Sequence, residues 1–222
     1  MASPTEENYL KALFNLANEQ GELSLSDLAN QVQVSLPTAN SMVKSLRRQN
    51  WVHYEKYKPL TLTEEGKAMA ISIIRKHRLT EMFLLKMMNF GWEEVHEVAE
   101  QVEHIHAPKF FERMDEILGY PSVDPHGSPI PDRHGNLEKQ SFQPLTVVLP
   151  GQRAKLHALT NSSTAFLAYL NSKALTLGSS IEIISIEQFD QSRVVRYTGH
   201  PTETLTEKVC ERLLVQLEET SS

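Results

Sequence analysis

The distribution of proline most constrains how this chain of 222 residues can fold. Five of its eleven prolines lie within residues 121–144, together with two of its nine glycines. Proline lacks a backbone N–H and interrupts helices and central strands, so this segment predicts a loop that passes into a linker. Periodic apolar patterns lie on both sides, and three domains are predicted at residues 1–74, 75–140 and 145–222.

Composition excludes several classes of protein. The chain is 40% hydrophobic and 23% charged, which is typical of a globular protein. No stretch approaches 18 consecutive apolar residues, and the N-terminus has no basic segment followed by an apolar run, so neither a membrane span nor a secretory signal is expected. The single cysteine, Cys210, cannot form an internal disulfide, which favours a reducing cytoplasm. We therefore expect a cytoplasmic protein without a membrane partner.

Capping and periodicity signals predict a defined order of elements in the first 63 residues. An S-x-x-E capping box at Ser3, with proline at the first helical position, begins one helix, and Ser24 begins a second. A third helix is predicted within residues 35–50. Residues 51–63 alternate enough to predict two short strands joined by a basic turn. This is the order of a winged helix-turn-helix.

The predicted third helix and hairpin carry side chains that suit DNA. In a winged helix-turn-helix the third helix enters the major groove, where small polar groups reach base edges while lysine and arginine neutralise phosphates. Between Ser35 and Leu60 five bases face one acid, although the whole chain carries a net charge of −6. Polar residues on a surface helix can also be merely solvated, but the basic wing and the order of elements favour DNA binding. The candidate residues are Ser35, Pro37, Thr38, Asn40, Ser41, Lys44, Arg47, Lys56 and Lys58.

A long helical pattern begins after the cap Thr63, with Gly66 in its first turn, where glycine costs least. Farther along, "TEMFLLKMMNFGW" is apolar on more than one face. This pattern is explained equally well by an ordinary core with adaptable methionines and by a dimer interface. After the linker, "LTVVLPGQRAKLHAL", "SSIEIISI" and "SRVVRYTG" predict strands of a small β-rich domain, interrupted by a helix containing "TAFLAYLNS". The sequence shows no internal repeat.

Six metal-ligand side chains fall on two consecutive predicted helices. They are spaced at one helical turn or less, so each helix presents its members on one face. Clustered carboxylates repel one another unless a cation is present, and a divalent ion removes that cost. An acidic, solvated helix surface is the alternative, since nine acids face three bases between Leu79 and Tyr120. The six residues are His77, Glu81, His96, Glu100, Glu103 and His104.

With the winged helix-turn-helix, the segments "RKHRLTE", "VHEVAEQVEHIH" and "DPHGSPIPD" resemble the DtxR/MntR family of metal-dependent transcriptional repressors. The segments "PGQRAKL", "FLAYL" and "LGSSIEI" resemble the SH3-like (FeoA-type) C-terminal domain of its three-domain members. The resemblance covers essentially the whole chain. It implies a mainly α fold with small β parts, in which a winged helix-turn-helix precedes a helical metal-binding and dimerisation domain and an SH3-like β-barrel.

The resemblance also implies two metal sites in each subunit. The ancillary site would consist of His77, Glu81 and His96, and the primary site of Glu100, Glu103 and His104. Family members complete the primary site with a side chain of the first helix, at a position that is Asn8 here. Asp124 stands where some relatives have a cysteine in a C-P-H-G loop, and is the other candidate. Lys11 replaces a glutamate of the two-domain manganese sensors, which disfavours their close binuclear arrangement. A ligand from the C-terminal domain would come from residues 162–164.

The ligand set favours Mn²⁺, with Fe²⁺ as the alternative. Glutamate at position 100 resembles the manganese sensors of the family, and no soft sulfur ligand is present. The implied function is that of a repressor, not an enzyme, which binds a palindromic operator as a metal-loaded homodimer and controls metal-ion uptake genes. A metal-independent winged-helix regulator is the alternative reading. A di-metal helical enzyme is a further alternative, although it leaves the winged helix unexplained.

Overall fold

The computed structural model describes residues 2–138, 140–160 and 162–218. The chain divides into two compact units. The first unit contains the described residues of 1–80, 97–120 and 130–137, and the second contains those of 81–96, 121–129 and 138–222. Helix α4 (Glu64–Met88) passes from one unit into the other and also runs through the predicted boundary at residue 74. The predicted three-domain division therefore remains a prediction.

The first unit begins with a winged helix-turn-helix, as the sequence predicted. Three short strands form an antiparallel sheet in the order β1-β3-β2, and β2 and β3 flank the wing. The remaining helices of the unit are α5, which begins just before it, and α6. The elements are α1 (Pro4–Leu16), β1 (Glu22–Leu23), α2 (Leu25–Gln31), α3 (Leu36–Arg48), β2 (Val52–His53), β3 (Leu60–Leu62), α5 (Val95–Val102) and α6 (Pro108–Leu118).

Serine caps position the first three helices where the sequence predicted them. The side chains of Ser3, Ser24 and Ser35 each accept a hydrogen bond from the backbone N–H three residues later. This satisfies a helical N–H that would otherwise lack a partner. The apolar faces of α1, α2 and α3 then bury one core, which contains Leu10 and Leu28. A movement of α1 would therefore be transmitted to α3 through this shared core.

Gly66 lies in the first turn of α4, where a glycine costs the helix least, and the structure adds a second reason for a glycine at this position. A Cβ atom at Gly66 would lie 2.0 Å from the backbone oxygen of Trp51 and 2.9 Å from its carbonyl carbon. Thr63 caps the helix as predicted, accepting a hydrogen bond from the Gly66 N–H at 3.0 Å. The glycine therefore permits the first turn of α4 to lie directly against the backbone of Trp51.

The second unit is built around a six-stranded antiparallel sheet in the order β4-β9-β5-β6-β7-β8. Helix α7 matches the predicted helix, and its residues Phe166, Leu167 and Leu170 enter the core below the sheet. None of the helices in the described part of the chain has both the length and the apolar character of a membrane span. The elements are β4 (Gln143–Pro144), β5 (Arg153–Leu159), α7 (Thr164–Ser172), β6 (Ser180–Ile186), β7 (Arg193–Tyr197), β8 (His200–Leu205), α8 (Glu207–Cys210) and β9 (Leu213–Leu217).

The start of the C-terminal domain differs from the prediction. The segment "LTVVLPGQRAKLHAL" was predicted as a strand, but its first part forms a 3₁₀ helix (Leu145–Val147) and β5 begins only at Arg153. Pro150 and Gly151, the latter at φ +82°, interrupt the segment with a turn. Strands β8 and β9 had not been predicted.

The proline-rich segment contains a repeated turn, which the sequence analysis missed. Residues 124–128 (DPHGS) and 132–136 (DRHGN) share the pattern D-x-H-G followed by a small polar residue. In each copy one aspartate oxygen accepts the backbone N–H groups of the residues two and four positions later, at 2.8–2.9 Å. The glycines have φ values of +86° and +83°, a conformation that favours glycine. Residues 124–136 therefore contain two ordered turns.

Candidate metal centres and nucleic-acid interface

The first group of metal-ligand side chains lies in the first unit. We call His77, Glu100 and Glu103 the Glu103 cluster, because one donor atom from each lies within 4.8 Å of the others. The His77 Nδ1 atom is 2.6 Å from Glu103 Oε2 and 3.9 Å from Glu100 Oε1. Helix α4 supplies the imidazole, while α5 and the turn after it supply the carboxylates. Glu103 is fully buried, which is rare for a carboxylate without a partner.

A lysine from the first helix reaches into the Glu103 cluster. The Lys11 Nζ atom lies 2.6 Å from Glu100 Oε1 and 2.7 Å from Glu103 Oε1. Only 14% of the Lys11 side chain is exposed, so this ion pair is largely shielded from water. Helix α1 of the winged helix is thereby joined by charge to Glu100 on α5 and to Glu103 just after it.

The surroundings of Glu103 favour its ionised form. Burial by itself raises the pKa of the Glu103 carboxyl. The hydrogen bond with His77 and the charge and hydrogen bond of Lys11 more than offset this, so that the pKa lies below its ordinary value. A carboxylate kept ionised in a buried position is suited to coordinating a cation.

Glu7 is a site residue that sequence reasoning missed. Its buried carboxylate lies 2.5 Å from Nδ1 of His104. His104 was predicted to be a primary ligand together with Glu100 and Glu103, but the structure places its Nδ1 on Glu7 and its Nε2 3.7 Å from Glu103 Oε1. The available signal was the pair of charges one turn apart, at positions 7 and 11, on an otherwise apolar helix face.

Asn8 provides the clearest test of whether this site fits a cation. Its side-chain oxygen is buried and has no hydrogen-bond partner among the described residues. A buried acceptor without a partner is costly, and such exceptions are few in native proteins. Asn8 and Lys11 are three residues apart and share one face of α1. A buried amide oxygen without a partner in the described part of the chain, on the helix that also sends Lys11 to Glu100 and Glu103, fits a hard divalent cation.

The second group lies in the second unit. We call Glu81, Asp124 and His126 the Glu81 cluster; all three are buried, and one donor atom from each lies within 4.8 Å of the others. His96 adds its Nδ1 atom 3.3 Å from Glu81 Oε1. The turn that carries Asp124 and His126 is held against β5, where the Leu159 N–H donates to the His126 carbonyl at 3.0 Å.

The hydrogen bonds of His126 orient the ring for coordination. Its Nε2 atom lies 2.9 Å from the backbone oxygen of Trp92, which can only accept, so Nε2 carries the proton. In the neutral ring Nδ1 is then an acceptor, and it lies 3.8 Å from Glu81 Oε2. His126 Nδ1 and Glu81 Oε2 are thus two acceptors at a distance that suits a cation between them. A backbone carbonyl that fixes the tautomer is also a common feature of histidine ligands.

Some of the predicted ligands are grouped as the sequence analysis expected, and others are not. His77, Glu81 and His96, the predicted ancillary set, each have a donor atom within 4.8 Å of the others. His77 also contacts Glu103. Asp124, predicted to complete the primary site, is grouped with Glu81 and His126. His126 had no predicted role, although it lies two residues after Asp124 in the quoted "DPHGSPIPD" segment.

The predicted DNA-binding side chains lie on α3 and on the wing. Six of the residues on α3 or at its cap are exposed, namely Ser35, Pro37, Thr38, Ser41, Lys44 and Arg47. Lys56 and Lys58 are exposed on the wing. Asn40 is half-buried, and its Oδ1 accepts a hydrogen bond from the Tyr54 hydroxyl at 2.7 Å. Bidentate pairing of Asn40 with adenine uses Oδ1 and Nδ2, so Oδ1 would either accept a second hydrogen bond or give up the one from Tyr54.

Comparison with known proteins agrees with these observations. Residues 1–60 match the family described as iron-dependent repressor, N-terminal DNA binding domain, and residues 63–132 match its metal binding and dimerisation domain. The iron-dependent repressor IdeR of Mycobacterium tuberculosis (strain ATCC 25618 / H37Rv) is 34% identical over 127 residues, which cover 57% of this chain and 55% of IdeR. The matched segment is thus about half the length of this relative.

Two further similarities extend over most of the chain. The diphtheria toxin repressor of Corynebacterium efficiens is 28% identical over 202 residues, which cover 86% of each chain. The structure of a manganese-dependent transcriptional repressor in complex with manganese superposes with a TM-score of 0.86 at 27% identity. That likeness covers 96% of this chain and 100% of the other, and it confirms the predicted fold class.

A winged helix-turn-helix joined to buried histidine and carboxylate clusters defines a class of DNA-binding regulators with metal-ligand side chains. The chain belongs to the iron-dependent repressor family, which contains IdeR and the diphtheria toxin repressor. The predicted resemblance to DtxR/MntR is therefore confirmed. The members named here are transcriptional repressors and not enzymes.

Proposed function

We propose that this protein is a metal-dependent transcriptional repressor of the DtxR/MntR type. It would bind a palindromic operator as a homodimer when metal-loaded, act in the cytoplasm and control metal-ion uptake genes. One observation carries the proposal: α1 contributes both to the core that supports α3 and, through Lys11 and Glu7, to the charged groups around Glu103. A change at the cluster would thus reach the DNA-binding helix through α1.

The donor sets support Mn²⁺ as the ion, with Fe²⁺ as the alternative. Both clusters offer carboxylate and imidazole donors and no thiolate, since the sole cysteine, Cys210, is buried in the core of the second unit. A bound divalent ion would supply the positive charge that the clustered carboxylates need. Solved relatives include a manganese-dependent repressor with manganese and a repressor with Cd²⁺, which supports a site that accepts several divalent ions.

Two sites in each subunit are proposed. The first would use His77, Glu100 and Glu103, with Asn8 and His104 as further donors. The second would use Glu81, Asp124 and His126, with His96 at its exposed edge. In the first, Glu7 would hold His104 in position from α1. In the second, the Trp92 carbonyl would fix the His126 tautomer.

The contacts of α1 support a direct route from the first site to DNA. Besides its packing in the shared core, α1 contacts the end of α3 through a hydrogen bond from Gln49 Nε2 to Glu6 Oε1. Coordination by Asn8 would fix α1 relative to α5 and, through α1, the orientation of α3. An ion that binds the DNA-competent arrangement more tightly would shift the population toward it.

The test is operator binding at controlled free metal concentration. DNA sites are first selected from random duplexes with the Mn²⁺-loaded protein, and affinity is then measured by fluorescence anisotropy in buffered Mn²⁺ and in EDTA. We expect binding at least tenfold tighter with Mn²⁺. Glu103→Gln should abolish the difference, whereas Glu64→Gln, at a highly exposed position on α4, should retain it. Equal affinity in Mn²⁺ and EDTA for the unaltered protein would refute the proposal.

The DNA interface has its own test. Lys44 is exposed on α3 and belongs to the basic segment of the winged helix. Lys44→Ala should weaken binding to all sequences about equally and reduce the slope of log affinity against log salt by roughly one. Lys109→Ala, an equal change of charge on an exposed part of α6, serves as control. An unchanged slope for the Lys44 variant would place the interface elsewhere.

A further inference from the structure

Lys11 occupies the position of a counter-ion in the Glu103 cluster. Its ammonium group is within 2.7 Å of one oxygen of each of Glu100 and Glu103. The distances are those of charge-assisted hydrogen bonds. Because Glu103 is fully buried and lies beside Glu100, a carboxylate pair at this position needs a positive charge next to it, and Lys11 already supplies one.

A divalent ion and the Lys11 ammonium group cannot both bind Glu100 Oε1 and Glu103 Oε1 at the same time. Metal–carboxylate bonds are about 2.0–2.2 Å long, so an ion bound by Glu100 Oε1 and Glu103 Oε1 would lie where Nζ now donates its hydrogen bonds. Two cations in contact repel strongly in a site shielded from water. Binding of the ion therefore requires Nζ to leave one or both oxygens.

We infer that Lys11 is a tethered cation that competes with the divalent ion for Glu100 and Glu103, so that metal binding at this cluster exchanges the ammonium group for the ion. This inference rests on the proposed metal-dependent function. It makes Lys11 the residue that sets the free-metal concentration at which the first site fills.

The arrangement on α1 gives the exchange a structural consequence. Lys11 and Asn8 are three residues apart on one face of α1, and the buried Asn8 oxygen has no hydrogen-bond partner among the described residues. When Lys11 leaves the carboxylates, the helix loses two ion pairs, and Asn8 can replace them by coordination. The contact of Glu7 with His104 is separate and would hold α1 near α5 during the exchange. The contacts of α1 with Glu100 and Glu103 would thus change, while the contact between Glu7 and His104 keeps α1 next to α5.

A purely structural role for Lys11 predicts a different result from competition. If Lys11 only stabilises the fold, its removal should lower both stability and metal affinity. If it competes, its removal should lower stability in EDTA, because a buried carboxylate loses its partner, but should raise metal affinity. The two effects then have opposite signs, and both can be measured without DNA.

The experiment measures Mn²⁺ binding to the full chain by isothermal titration calorimetry, with free Mn²⁺ followed by electron paramagnetic resonance. Glu81→Gln is included in every variant so that the second cluster contributes little. Lys11→Met should bind Mn²⁺ at least tenfold more tightly, while Lys11→Arg should stay within about threefold of the parent. Lys67→Met, which removes an exposed lysine of α4 paired with Glu64, should leave the affinity within twofold.

Further variants keep the test decisive. If Lys11→Met does not fold, Lys11→Gln replaces it, with folding checked by circular dichroism. Equal or weaker Mn²⁺ binding by a folded Lys11→Met or Lys11→Gln protein would overturn the inference. Metal-independent operator binding would instead refute the proposed function and leave the Lys11 result standing.

Discussion

Replacement of Gly127 by alanine should damage the second unit far more than the same change at Gly135. The two glycines occupy equivalent positions in the repeated turns, at φ +86° and +83°. A Cβ atom at Gly127 would lie 2.2 Å from the His157 carbonyl oxygen and 2.6 Å from Cα of Ala158. At Gly135 the nearest atom would be Cγ2 of Ile71, at an ordinary contact distance of 3.7 Å.

The magnitude follows from two separate costs. An alanine in the left-handed region costs about 1–2 kcal/mol, and both variants incur this. Only the Gly127 variant must also move backbone atoms to relieve a clash, which adds about 1–3 kcal/mol. We therefore expect a loss of about 2–5 kcal/mol for Gly127→Ala and about 1–2 kcal/mol for Gly135→Ala.

The assay is urea unfolding in EDTA, followed by tryptophan fluorescence. The chain has two tryptophans, Trp51 in the first unit and Trp92 in the second, so variants with one tryptophan replaced by phenylalanine report on each unit. The Gly127→Ala loss should appear in the Trp92 signal, and the smaller Gly135→Ala loss in the Trp51 signal. If both variants lost the same free energy of unfolding, the close approach of Gly127 to β5 would not restrict the residue at position 127.

Three other predictions concern single residues. Gly66→Ala should cost about 3 kcal/mol in urea unfolding, because its Cβ would overlap the Trp51 carbonyl oxygen at 2.0 Å. Glu7→Gln should weaken Mn²⁺ binding about tenfold in calorimetry, since His104 loses the carboxylate that orients it, and an unchanged affinity would remove His104 from the ligand set. Burial raises the pKa of the Cys210 thiol to about 11, so at pH 8 its reaction with an aromatic disulfide reagent should be slow in the folded protein and fast in urea.

Much of the first unit could be predicted because its signals are local. The caps at Ser3, Ser24 and Ser35 lie within three residues of the N–H groups that they accept, so a short stretch of sequence contains the whole interaction. Strand β8 was missed for the opposite reason. The segment His200–Leu205 has a single buried residue, so its apolar alternation is too weak to predict a strand.

The candidate site could be predicted by residue type and, for His77, Glu81 and His96, by grouping, whereas the partners of Asp124 and Lys11 could not be predicted. Helical spacing places His77 and Glu81 on one face, but does not determine which partner each one meets. The contact between Lys11 and Glu100 joins residues 89 positions apart, and only tertiary packing brings them together. His126 became a candidate once the turn around it was seen against β5. Asn8 was predicted from the resemblance, and its buried oxygen, which has no hydrogen-bond partner in the described part of the chain, supports it as a ligand.

The central claim is that metal at the Glu103 cluster and DNA at α3 influence each other through α1. Thermodynamic linkage requires the effect to be reciprocal, so operator DNA must raise the affinity for Mn²⁺ by the factor by which Mn²⁺ raises the affinity for DNA. The direct measurement is therefore the Mn²⁺ dissociation constant with and without saturating operator duplex. We predict at least tenfold tighter Mn²⁺ binding with DNA, and no change in Glu103→Gln. An Mn²⁺ affinity in the unaltered protein that is the same with and without DNA would contradict the account.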